Sequence, residues 1–252
     1  VYKRQTEAMA AILGGCNSLR VAPYDSCFRK PDDFSERLAR NLQIILREES
    51  YFDKVADPAG GAYYIESLTD SICDNAWQIF LDTEKKGGFL KAIKNGFVQK
   101  EIRKNADQLH KRIATGRQAL VGVNSYPDFR ERAKEIIDPD VFNKHSLVNQ
   151  TIAEPIVQSR ISLEFEKIRL AVENHSNNRP KVFMLTFGNQ AMRLARSQFA
   201  SNFFAAAGYE VINNPGFETL SESVSAALRA KADIIVACSS DEEYEGTVPE
   251  IN

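Results

Sequence analysis

Lys181-Val182-Phe183-Met184-Leu185-Thr186-Phe187 is the stretch that decides the fold. It is short, β-prone and apolar without a polar alternation, the pattern of a strand buried on both faces. Moving outward, Ala191 to Ala207 reads as a helix ended by Gly208, and Tyr209 to Asn213 as a second strand. Thr219 caps a helix that reaches Lys231, and Asp233 to Cys238 makes a third strand. Strands alternating with helices of this length imply a parallel sheet joined by right-handed crossovers. Open sheets of this type carry about five or six strands, so this one is expected to be cut short.

Upstream, residues 83–178 have a different texture. Gly87-Gly88 breaks the chain, and helices rich in Lys, Arg and Glu follow. Ile102, Ala106, Leu109 and Ile113 give only a thin apolar stripe. Val121 to Pro127 reads as an extended piece, Ile161 to Val172 as an amphipathic helix and Asn174 to Pro180 as a polar linker. This part is expected to be a helical connector that needs other surfaces to cover it.

Residues 1–82 read as alternating helix and strand. Thr6 to Leu13 is a small-residue helix ended by Gly14-Gly15, and Asn17 to Ala22 is short enough for a strand. Pro31-Asp32-Asp33 opens a helix with Phe34, Leu38, Leu42, Ile45 and Leu46 at three- and four-residue spacing. After the turn cluster Asp57-Pro58-Ala59-Gly60-Gly61, Ala62 to Ile65 is a brief β-prone run, and Leu68, Ile72, Ala76, Ile79 and Phe80 mark another helix. Such a stretch is too short to close an eight-stranded barrel, but its rhythm fits roughly the last quarter of one.

Composition narrows the function. Among 252 residues, 43% are hydrophobic, 26% are charged and the formal charge is −2, which are globular fractions. The near-neutral balance gives no electrostatic argument for nucleic acid or an anionic membrane, and no run of about 18 apolar residues suggests a spanning helix. Cys16, Cys27, Cys73 and Cys238 lie far apart and form no CxxC, so they read as reduced cytoplasmic thiols serving in packing. The chain begins Val1-Tyr2-Lys3 and stops soon after its third strand, and is expected to be a piece of a longer one.

Local motifs are sparse. The loop Gly188-Asn189-Gln190-Ala191-Met192-Arg193 stands where a doubly wound sheet binds anions, yet it carries neither GxGxxG nor GxxxxGK[ST]. Arg193 and Arg196 are candidates to meet a phosphate, although helix-surface charge is the commoner role. His110, His145 and His175 have no further ligand at metal spacing, so no metal is expected. The acid pairs Glu48-Glu49 and Glu242-Glu243 read as solvated faces. The Asp57 to Tyr64 loop fits a site at a strand end, and equally a turn whose glycines serve geometry alone.

Several of these segments resemble the methylmalonyl-CoA mutases. They are Thr6 to Leu19, Arg37-Leu38-Ala39-Arg40-Asn41, Asp57 to Tyr64, Glu84 to Gly88, Gly116-Arg117-Gln118 and Val121-Gly122-Val123-Asn124, in order and at family spacing. The resemblance implies an α/β fold in three parts. Residues 1–82 would be the C-terminal part of a coenzyme-A-binding (β/α)8 TIM barrel, 83–178 a helical linker, and 179–252 the first half of a flavodoxin-like, cobalamin-binding-type domain.

The departures from the family pattern carry the functional expectation. Catalytic members have Asp-x-His-x-x-Gly after the first strand of the last domain, where the His ligates cobalt and the Asp orients it. The matching positions here are Gln190, Met192 and Ala195. Catalytic members also read Ser-Leu-His after the double glycine, and here the match is Ser18-Leu19-Arg20. Arg20 is longer than His and permanently charged. The pattern resembles the small, non-catalytic subunit of heterodimeric bacterial mutases. It implies a chain with no catalytic residues, no bound cofactor and no metal, in the cytoplasm, paired with a large catalytic subunit that holds adenosylcobalamin. Two alternatives remain beside it: an active acyl-CoA mutase with a non-His cobalamin site, and a stand-alone interaction module.

Overall fold

The structure, a computed structural model, describes residues 2–138, 140, 151–156, 160–175, 178–217 and 219–251. These form two compact units, residues 1–103 with 137–157, and residues 104–136 with 158–252. The fold is α/β, with one three-stranded parallel sheet among the described residues and helices for most of the rest.

The first unit holds α1 (Tyr2–Leu13), α2 (Asp33–Glu48), α3 (Tyr63–Lys85), α4 (Phe89–Lys94) and the start of α5 (Phe97–Ala114). The expected cap of α2 is present: the Asp32 carboxylate accepts the Ser35 N–H at 2.8 Å, and the Ser35 hydroxyl returns a bond to the Asp32 backbone. Ala8 of α1 and Ala39 and Leu46 of α2 are buried. The expected strand at Asn17 to Ala22 is instead irregular, because no strand among the described residues of this unit offers it a ladder. The expected strand at Ala62 to Ile65 is also replaced: α3 starts at Tyr63, extending the spacing of Leu68 and Ile72 back through Tyr64 and Ile65. None of the residues of α3 is buried, and Tyr63, Tyr64, Trp77, Ile79 and Phe80 are all exposed.

The second unit holds the rest of α5, α6 (Ala133–Ile136), α7 (Leu163–His175), β1 (Lys181–Thr186), α8 (Gln190–Ala206), β2 (Glu210–Ile212), α9 (Leu220–Arg229), β3 (Ile234–Cys238) and α10 (Asp241–Ile251). The sheet order is β2-β1-β3. Val182 to Thr186 of β1 pairs with Ile234 to Cys238, and Lys181 to Phe183 pairs with Glu210 to Ile212. As the central strand, β1 is buried on both faces. Phe183, Leu185 and Phe187 point to the face covered by α9 and α10 through Ala227, Val224 and Tyr244. Val182, Met184 and Cys238 point to the face covered by α8 through Ala200 and Phe204. Each such side chain contributes roughly 1.5–3 kcal/mol by leaving water. Gly208 ends the turn after α8 at φ +89°, and a Cβ there would lie 3.2 Å from the Arg169 Cα, so α7 packs against bare backbone.

Two other sequence readings in this unit change. Val121 to Tyr126 is a tight loop rather than an extended piece, closed by Asn124, whose side chain binds the Leu120 N–H and the Ile113 and Gln118 carbonyls. The stretch after α7 is not simply polar linker. Arg179 is buried and donates to the Phe129 and Glu131 carbonyls.

Candidate functional site

In a parallel sheet, the helix N-termini and their free N–H groups gather at the carboxyl ends of the strands. The crevice opens where neighbouring strands send their helices to opposite faces. Here that place lies between β1, followed by α8 on one face, and β3, followed by α10 on the other. Its rim is Gly188-Asn189 after β1 and Ser239-Ser240 after β3.

The crevice holds the carboxylate of Glu243, from the first turn of α10. The Asn189 N–H donates to its two oxygens at 3.0 and 3.1 Å. The Ser240 N–H and hydroxyl donate to Oε2 at 3.1 and 2.7 Å, and the Ser239 hydroxyl also contacts this oxygen. These donors hold the Glu243 carboxyl at about 2, far below its ordinary 4.5, the serine hydroxyls having the largest effect. Gly188 leaves the space open. Its φ is +67°, and a Cβ there would fall 2.2 Å from the Glu243 carboxyl carbon and both oxygens.

Neighbouring contacts fix this arrangement. The Tyr244 hydroxyl accepts the Ser239 N–H at 3.0 Å and donates to the Ala237 carbonyl at 3.2 Å. Arg196 of α8 binds Asp241 at 2.7 Å and lies over the Tyr244 ring. Arg193 donates to the carbonyls of Gly188 and Pro215, both at 3.2 Å. Both arginines considered for a phosphate are thus engaged within the chain.

The three positions that the resemblance matches to the cobalamin motif lie on the first two turns of α8. Gln190 opens that helix and is exposed; Asn189 caps it, accepting the Met192 N–H at 3.1 Å. Met192 is 39% exposed. Ala195 borders an open apolar groove of about 470 Å³, lined also by Phe199 and Phe203 of α8 and by Val236 and Cys238 of β3. Arg20 belongs to the other unit, in its irregular 16–23 segment, and is exposed.

Other sequence candidates fall elsewhere. His110 and His175 sit on α5 and α7, while His145 lies outside the described residues. No cluster of His, Cys, Asp and Glu suited to a metal ion occurs among the described residues. The Gly61 N–H donates to the Glu66 carboxylate at 2.9 Å, so the Asp57 to Tyr64 loop serves the start of α3. Of the cysteines only Cys238 packs in a core, where burial pushes its thiol up; Cys16, Cys27 and Cys73 are exposed, contrary to the packing role expected for them.

The main correction concerns Glu242-Glu243. Glu242 is exposed as expected, but Glu243 turns inward as the anchor of the crevice. The missed signal is Ser240-Asp241-Glu242-Glu243, a Ser-x-x-Glu spacing that directs the acid back to the N–H at the helix entrance.

Comparison with known proteins now adds to the geometry. A family model described as methylmalonyl-CoA mutase matches residues 1–184. The methylmalonyl-CoA mutase small subunit of Porphyromonas gingivalis is 48% identical over 249 residues, covering 99% of this chain and 40% of the relative. The small subunit of Streptomyces virginiae is 32% identical over 241 residues, covering 94% of this chain and 37% of the relative. A methylmalonyl-CoA mutase of Cereibacter sphaeroides is 40% identical over 140 residues, 56% of this chain and 20% of the relative. The chain therefore spans about two fifths of the length of the small subunits it matches. No helix among the described residues is long and apolar enough to cross a membrane.

Proposed function

The chain belongs to the methylmalonyl-CoA mutase family, and from that premise we propose that it serves as the small, non-catalytic subunit of an adenosylcobalamin-dependent methylmalonyl-CoA mutase. The observation that carries the reading is the match along 99% of the chain to a protein named as a small subunit. In this reading a large partner subunit interconverts (R)-methylmalonyl-CoA and succinyl-CoA in the cytoplasm, and the present chain supports it as a heterodimer. Residues 1–82 would complete the family's coenzyme-A barrel, 83–178 would link, and 179–252 would form the flavodoxin-like part. The sheet order β2-β1-β3 supports that last assignment.

This chain itself would hold no cobalamin. Gln190 offers no charge to orient a ligand, Met192 offers a thioether in place of imidazole, and Ala195 adds a methyl where the family has glycine. Glu243, which fills the crevice beside them, supports the same reading. Arg20, a long guanidinium side chain, would not take the part of a neutral imidazole. The relatives that match nearly the whole chain are named small subunits, which does not favour an independently active mutase or a stand-alone module.

The test is co-expression with a candidate catalytic chain, followed by size exclusion and a mutase assay. A permanent heterodimer should co-elute and bury on the order of 2,000 Å² or more, and the large subunit should be less stable alone. A large subunit that is fully active and stable without this chain, or two chains that never co-elute, would overturn the reading.

A further inference from the structure

We draw no further inference here: the strongest candidate, the open apolar groove between α8 and the edge strand β3, lined by Ala195, Phe199, Phe203, Val236 and Cys238, carries nothing because nothing in the structure shows what covers it.

Discussion

Gly188 and Glu243 compete for one volume: the place a Cβ would take on the first is filled by the carboxylate of the second, 2.2 Å away. Gly188→Ala should therefore carry two penalties. Its φ of +67° strains any residue with a Cβ, at roughly 1–3 kcal/mol, and the new methyl displaces the carboxylate from its donors. Chemical denaturation should show a loss of that order or more. A variant as stable as the unaltered chain would contradict the geometry.

Glu243 also predicts a pH dependence. Its carboxyl sits at about 2 when folded against an ordinary 4.5, so the folded state favours the charged form. The stabilisation is fully present above about 4.5 and is lost as pH falls towards 2. Unfolding by urea across this range should show the unaltered chain losing stability more steeply than Glu243→Gln, with the two curves converging at the acid end. Parallel curves would mean that the carboxylate gains nothing from its donors.

Glu173 of α7 makes a comparable contact in a wholly structural setting. Its carboxylate accepts the N–H groups of Ala133 at 3.0 Å and Lys134 at 2.9 Å, and the residue is buried. Glu173→Ala leaves these donors without a partner, so equilibrium unfolding should register a loss of about 1–3 kcal/mol. Glu173→Gln, with one oxygen left, should fall between the two.

The apolar surface sets the behaviour of the isolated 252-residue chain. Trp77, Ile79 and Phe80 on α3 and Phe199 and Phe203 on α8 are each at least half exposed. Surfaces of this kind mark protein contacts or aggregation. The chain alone should bind a hydrophobic dye strongly and elute as large species, and a partner chain should suppress both. A monodisperse monomer that ignores the dye would count against the subunit reading.

Cobalamin provides the last measurement. The triple variant Gln190→Asp, Met192→His, Ala195→Gly would restore the motif that the resemblance implies, but leaves the Glu243 carboxylate on its donors. Titration with adenosylcobalamin, followed by the visible spectrum, should show no stoichiometric complex. Micromolar or tighter binding would mean that the filled crevice is no obstacle.

The sequence by itself determined the strand-helix alternation from Lys181 to Cys238, the caps at Asp32 and Thr219, the end of α8 at Gly208 and, through its spaced motifs, the family. These features depend on neighbours within about one or two helical turns, or on residue order alone, and both are written along the chain. Only the tertiary structure decided that Glu243 turns onto donors of two loops while Glu242 stays in solvent, that Arg179 is buried against the carbonyls of Phe129 and Glu131, and that Asn124 closes a loop. It also decided that Asn17 to Ala22 forms no strand, although its composition allows one. The physical reason is common to these cases. A strand exists only through a partner strand, and a polar side chain is buried only where distant backbone supplies the bonds that water would otherwise give.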